Sequence, residues 1–120
     1  MRTKDFSCLG MKQKYLRISY SEHLNNSDLY RLMNIPYLQL FHCSKITDIS
    51  MLSKNRFLMI GFCKGLKEAT MEGIGYRLVE LRNPNLEKVI VMGRIDQLIV
   101  FKHSQVIHPE NVMSIESERM

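Results

Sequence analysis

The chain has 120 residues, enough for one domain of ordinary size and too few for two. Hydrophobic residues make up 45% and charged residues 24% of it, which excludes a disordered, low-complexity or collagen-like chain. Lys and Arg number 17 against 12 Asp and Glu, and the whole excess of five lies in residues 1–60. The net charge therefore permits contact with an anionic partner without requiring one, and the excess positive charge belongs to the first half of the chain.

The cysteines and the start of the chain indicate the setting of the protein. Cys8, Cys43 and Cys63 are an odd number without a C-x-x-C pair, so neither a disulfide framework nor a zinc site is predicted. The first fifteen residues lack the apolar segment of a secretory signal, and no window approaches the roughly 18 consecutive apolar residues of a membrane helix. We expect a soluble intracellular protein that has no cofactor or metal and does not bind a membrane.

Three segments follow one another along the chain. Residues 1–14 are expected to form a basic N-terminal arm, because they carry four basic residues and one acidic residue. Residues 15–108 contain a repeated pattern and form the predicted folded domain. Residues 109–120 are polar and are expected to be a frayed C-terminal tail.

The repeated pattern recurs about every twenty residues and reads L-x-[LIV]-x-x-[CH]-x-x-[ILV]. Alternating apolar residues predict a short half-buried strand, with the anchors inward and the x positions outward. One such unit cannot bury its apolar face, so the copies are expected to stack with parallel strands at 16–18, 38–40, 58–60, 79–81 and 98–100. The second anchors, 22, 20, 21 and 19 residues apart by subtraction, are Ile18, Leu40, Ile60, Leu81 and Val100.

The third position after the second anchor is small or polar in most copies. Cys43, Cys63 and His103 occupy it, Ser21 replaces it in the first copy, and the copy at 81–86 lacks it. Because this position faces the interior of a stacked repeat, Cys43 and Cys63 are predicted to be structural residues rather than metal ligands or nucleophiles.

The run C-x-x-I-T-D-I-S-x-L-S over residues 43–53 resembles the cysteine-containing repeats of protozoan, trypanosome-like leucine-rich repeat proteins. The resemblance covers residues 15–108. It implies an α/β leucine-rich repeat solenoid of about five repeats, with a parallel β-sheet on the concave side and short irregular, 3-10 or helical segments on the convex side. On the return side, residues 26–33 predict one helical turn with Ser27 or Asp28 as its N-cap.

Motifs of catalysis and nucleotide binding are missing from the sequence. It contains no G-x-x-x-x-G-K-[ST], G-x-S-x-G or H-E-x-x-H, and Gly73-Ile74-Gly75 lacks the third glycine of a dinucleotide loop. We therefore predict a protein that is not an enzyme. An enzyme whose site is assembled from residues without a motif is kept as a third hypothesis.

The outward positions of the strands define the predicted binding surface. They are rich in aromatic residues, Met and Arg, which are enriched at protein interfaces, so we predict a noncatalytic protein-binding scaffold or recognition module, one that belongs to a larger assembly. The alternative is an RNA-associated subunit of a ribonucleoprotein that uses the basic N-terminal region. The ends are expected to be capped by a partner or by a longer array. The predicted surface comprises Tyr15, Arg17, Tyr37, Gln39, Phe41, Phe57, Met59, Phe62, Glu80, Arg82, Phe101 and Lys102.

Overall fold

The computed structural model describes residues 14–119, so Cys8 and residues 1–13 of the basic arm lie outside the described residues. The described chain forms nine strands and two 3-10 helices, neither of which is long and apolar enough to cross a membrane. In chain order, these elements are β1 (Tyr15–Ser19), η1 (Asn26–Arg31), β2 (Tyr37–Phe41), β3 (Phe57–Gly61), β4 (Glu68–Met71), β5 (Tyr76–Arg82), β6 (Lys88–Val91), β7 (Ile95–Phe101), β8 (Gln105–Ile107), η2 (Pro109–Asn111) and β9 (Val112–Glu118).

The strands form two parallel sheets, and the chain winds between them as a solenoid. The larger sheet has six strands in the order β1-β2-β3-β5-β7-β9, and the smaller has three in the order β4-β6-β8. Tyr15, Tyr37 and Phe57 pair in register, as do the second anchors Leu40 and Ile60. The five predicted strands and their register are confirmed.

The anchors of the larger sheet form one side of the core. In β2 the anchors Leu38 and Leu40 are fully buried, while the three residues that alternate with them are half-buried on the opposite face. Each buried Leu or Ile side chain contributes about 1.5–3 kcal/mol. The return side supplies the facing layer, in which residues three apart, Ile46, Ile49 and Leu52, are also fully buried.

The return side of the later coils is a second sheet. Val89 and Val91 of β6 are buried and Ile90 between them is half-buried, a β-branched alternation that suits a strand. Lys88 of β6 pairs with Glu68 of β4, which places opposite charges on neighbouring strands. The solenoid architecture is confirmed, whereas the α/β class stays a prediction, because helical structure in residues 14–119 is limited to η1 and η2.

The predicted helical turn near residue 26 is the 3-10 helix η1. Its N-cap is Asn25, two residues before Ser27 and three before Asp28, the predicted N-caps. The Asn25 side chain accepts a hydrogen bond from the backbone N–H of Ser27 at 3.1 Å, and Asp28 accepts one from the backbone N–H of Asn25 at 3.0 Å. This capping box satisfies N–H groups at the start of the helix.

The C-terminal segment is a strand, and the expectation of a frayed tail over 109–120 is wrong. Residues 112–118 form β9, which pairs with β7 and brings Leu98 opposite Ile115. Ile115 is still 39% exposed, because β9 is the outermost strand of the larger sheet in the described chain. An outer strand has a neighbouring strand along one edge only, and most side chains of β9 are exposed to solvent. Polar residues are therefore compatible with its pairing.

Candidate functional site

A row of small and polar side chains, here called the turn ladder, lies inside the coils where strands of the larger sheet end. Sγ of Cys43 donates a hydrogen bond to the carbonyl oxygen of Phe41, and Sγ of Cys63 donates one to that of Gly61, each at 3.5 Å. The hydrogen bond with Cys63, together with burial, raises the pKa of the Cys43 thiol. Both thiols are therefore buried and engaged within the turns. The members of the turn ladder are Ser21, Cys43, Cys63, Asn83 and Ser104.

Two members of the turn ladder differ from the pattern in the sequence. Asn83 fills the position that the fourth copy lacked, and its amide donates to the carbonyl oxygens of Cys63 at 2.7 Å and Leu66 at 3.3 Å. Its oxygen accepts from the N–H of Cys63 at 2.8 Å. In the fifth copy Ser104 is buried and His103 is exposed, which corrects the alignment that placed His103 inward. The turn there is one residue longer, so the next residue enters the core.

The outward side of the larger sheet, here called the sheet face, carries a row of aromatic rings at the start of its first three strands. The ring centroids of Tyr15 and Tyr37 are 5.1 Å apart, and those of Tyr37 and Phe57 are 5.5 Å apart. Tyr15 is 55% exposed. Leu78 follows Phe57 in register, and an apolar depression lies between them and Met59. Three coils thus present a continuous aromatic strip.

The middle of the sheet face carries a cation held against a ring. The guanidinium of Arg17 lies 4.9 Å from the centroid of the Phe41 ring, which is cation–π geometry. The Phe41 ring extends over Gly61, where a Cβ atom would approach it to 2.6 Å. Gly61 therefore permits Phe41 to lie across the neighbouring strand. Gln39 is connected to the first row, accepting a hydrogen bond from the Tyr15 hydroxyl at 3.4 Å.

The other end of the sheet face is charged. Arg82 forms a bidentate ion pair with Glu118, at 2.7 and 3.0 Å, and contacts Glu80 at 3.2 Å. Hydrogen bonds to the two carboxylates raise the pKa of the Arg82 guanidinium. Glu118 and the outward Glu116 belong to β9, so the sequence pattern, which ended at residue 108, did not include them. The sheet face is thus aromatic and cationic in the first three coils and acidic beyond them.

Two residues of the predicted surface contribute differently from the others. Phe101 is only 8% exposed, because β9 pairs beside it and the ring is packed. Its prediction as an open contact residue is corrected: it supports the sheet rather than presenting a ring. Lys102 is exposed, and its backbone N–H donates to the carbonyl oxygen of Glu118 at 2.7 Å.

Beside the sheet face, the residue after each of the first three strands carries an exposed ring. Tyr20 stacks on His42 at 4.4 Å, and His42 stacks on Phe62 at 5.3 Å, with interplanar angles of 4° and 9°. All three have positive φ angles, of 57°, 54° and 54°. We call these residues the ring stack. Of the three, only Phe62 belongs to the surface predicted from the sequence, and the left-handed backbone and the stacking required the structure.

Residues 14–119 contain no group of three or more His, Cys, Asp or Glu side chains able to hold a metal ion. Comparison of the chain with protein-family models, with curated proteins and with solved structures finds no match. The sheet face and the ring stack are therefore the features on which a function is argued.

Proposed function

We propose that this chain is a noncatalytic protein-binding module and that the aromatic half of its sheet face contacts the partner. The observation that supports this most directly is the continuous strip formed by Tyr15, Tyr37 and Phe57 on neighbouring strands. A solvated strand face is normally polar, whereas aromatic residues, Met and Arg are enriched in the centres of protein interfaces.

The side chains of the aromatic strip are preorganised for binding. The rings of the strip pack on one another, and Arg17 is held over Phe41, so these side chains lose little rotamer freedom when a partner binds. Immobilising a free side chain costs about 0.5–1.5 kcal/mol, and a surface that is already ordered avoids much of that cost. The strip is therefore suited to be an energetic centre of an interface.

The charge of the sheet face constrains the partner. Glu80, Glu116 and Glu118 lie on the outward side of β5 and β9, and Arg82 is paired with two of them. The complementary partner surface has an apolar centre, which covers the aromatic strip, and basic residues toward the β9 end. Such complementarity determines orientation and association rate more than affinity.

The proposed module is a leucine-rich repeat protein. Three observations support this family assignment: L-x-L anchors on parallel strands, repeat lengths of 19 to 22 residues between second anchors, and a buried turn ladder that includes Cys43 and Cys63. The short return segments also agree with the resemblance. This assignment concerns the type of solenoid and does not itself identify a partner.

A site-specific photo-crosslinking experiment tests the proposed function. A photoreactive phenylalanine analogue is placed at Met59 on the sheet face and, as control, at Thr70 on the smaller sheet. We expect a discrete protein adduct from position 59 in a lysate of the source cells and none from position 70. Tyr37→Ala is expected to weaken the complex at least about tenfold, whereas Tyr30→Ala, which removes an exposed ring of η1, leaves it unchanged.

The same experiment separates protein binding from RNA binding. Equal adducts from positions 59 and 70 would refute a specific surface. Adducts that disappear on nuclease treatment and weaken steeply with salt would favour the RNA-associated alternative instead. An unchanged complex in Tyr37→Ala would exclude the aromatic strip as the contact surface.

A further inference from the structure

The ring stack ends at Phe62 for a structural reason. In the first three coils one residue separates the last residue of the strand from the turn ladder, as Phe62 separates Gly61 from Cys63. In the next coil Asn83 follows Arg82 directly, so the position for a ring is missing. One face of Phe62 is therefore left without a neighbouring ring from the following coil.

The backbone of the ring stack is energetically costly. A residue other than Gly in the left-handed region costs about 1–2 kcal/mol. Each of three successive coils contains one such residue. The rings do not offset it by burial, since Tyr20 and Phe62 are 69% and 46% exposed. Stacking contributes about 0.5–1.5 kcal/mol for each pair, which does not exceed the backbone cost. An exposed stack held in an unfavourable backbone conformation indicates a binding role.

A cleft opens where the next ring would lie. It has a volume of about 170 Å³ and is open to solvent. Phe62 and Pro84 both line it, and Lys64 is the one residue with a permanent positive charge in the lining. Neighbouring strands are about 4.7–4.9 Å apart, close to the spacing of the existing rings, so a planar group stacked on Phe62 would lie level with the following coil, at the position of its missing ring. The lining residues are His42, Phe62, Cys63, Lys64, Asn83, Pro84 and Asn85.

We propose that this cleft binds an aromatic side chain of the protein partner, which extends the ring stack by one member, with an acidic neighbour of that side chain paired to Lys64. The proposal rests on the proposed function and deepens it by adding a second contact beside the sheet face. Stacking on Phe62 selects a flat ring over an aliphatic side chain. The charge of Lys64 selects an acidic sequence around that ring.

The lining favours an amino-acid side chain over a nucleobase. The amide of Asn83 is fully used by the backbone of the preceding coil, and that of Asn85 donates to the carbonyl oxygen of Lys64 at 3.3 Å. Few side-chain groups are therefore left to read the edge of a base. A nucleic-acid groove also needs a series of cations along the backbone of the nucleic acid, whereas Lys64 is the one Lys or Arg among the residues that line this cleft.

Titration with small probes, followed by NMR, tests the proposal on the whole chain. The probes are N-acetyl-tryptophanamide, N-acetyl-leucinamide, adenosine monophosphate and the capped tripeptide Asp-Trp-Asp. We expect shifts at Cys63, Lys64 and Asn85, contacts between indole and Phe62 ring protons, and weaker binding of the leucine probe. The tripeptide should bind more tightly than the single residue, and Lys64→Gln should remove that advantage.

Phe62→Leu is the decisive variant, and Tyr30→Leu is its matched control. We expect Phe62→Leu to weaken binding of the tryptophan probe about two- to tenfold, the ratio that a stacking contact of 0.5–1.5 kcal/mol provides, while Tyr30→Leu has no effect. If circular dichroism shows that Phe62→Leu does not fold, the proposal is tested instead by the contacts between the indole and Phe62 ring protons in the unmodified protein. Equal binding of the leucine probe, tighter binding of the nucleotide, or missing contacts with Phe62 would overturn the proposal. The Tyr37→Ala result would stand in that case, so the two failures are distinguishable.

Discussion

The substitution Asn83→Ala tests the role of the turn ladder in holding neighbouring coils together. The Asn83 side chain makes three hydrogen bonds in the interior, two to Cys63 and one to Leu66. Alanine leaves the N–H and the carbonyl oxygen of Cys63 and the carbonyl oxygen of Leu66 without those partners. A buried polar group that loses its partner costs about 1–3 kcal/mol.

The expected loss in the free energy of unfolding is about 3 kcal/mol, taken from the low end of that range for each of three groups. This is a large part of the 5–15 kcal/mol that stabilises a typical domain. With a urea m-value of about 1.5 kcal/mol per M, the midpoint of unfolding falls by about 2 M. Circular dichroism at increasing urea measures the change.

Asn85→Ala is the matched control for Asn83→Ala. Asn85 lies two residues away, is exposed, and makes one hydrogen bond, to the carbonyl oxygen of Lys64 at 3.3 Å. Water replaces an exposed bond, so we expect a loss below about 0.5 kcal/mol. A loss under about 1 kcal/mol for Asn83→Ala, or equal losses for the two variants, would refute the argument that the turn ladder links the coils.

Three further predictions concern other parts of the molecule. In a Cys8→Ser background, Cys43 and Cys63 should not react with a thiol reagent until the protein is denatured; labelling of the folded protein would contradict their burial. Burial raises the pKa of Tyr76 to about 12, so its neutral form is favoured in the folded state. The free energy of unfolding should thus fall as pH rises from about 10 through 12, less steeply in Tyr76→Phe; equal slopes would refute the assignment. Glu118→Gln should speed hydrogen exchange in β9 and cost about 0.5–1 kcal/mol, less at high salt; unchanged exchange would mean that the ion pair does not fasten β9.

Local pattern was enough to predict five of the six strands of the larger sheet from the sequence. Alternating anchors such as Leu38 and Leu40 must both face the core, so a shift of one residue in register would expose every anchor of the strand. The register that pairs Tyr15 with Tyr37, and Tyr37 with Phe57, followed from that constraint. Most of the aromatic half of the sheet face was therefore identifiable before any coordinates, because outward positions are determined once inward positions are known.

Features that depend on partners distant in the chain were not predictable in this way. The polar segment 112–118 pairs as β9 because β7 offers an open edge, which no local pattern in that segment reveals. Asn83 replaces a cysteine because its amide reaches backbone groups about twenty residues earlier. The burial of Phe101 followed from the same unforeseen strand.

The sequence alone determined the solenoid, its register and the aromatic strip, because each follows from a repeated choice between burial and exposure. Only the tertiary structure decided the acidic end of the sheet face, the left-handed ring stack and the cleft beside Phe62. The acidic end follows from the pairing of β9 with β7, and the ring stack follows from the left-handed residue after each of the first three strands. The cleft arises because the turn of the next coil is shorter by a single residue. Such a difference is minor in a repeat alignment, yet it moves a side chain into the core or out of it.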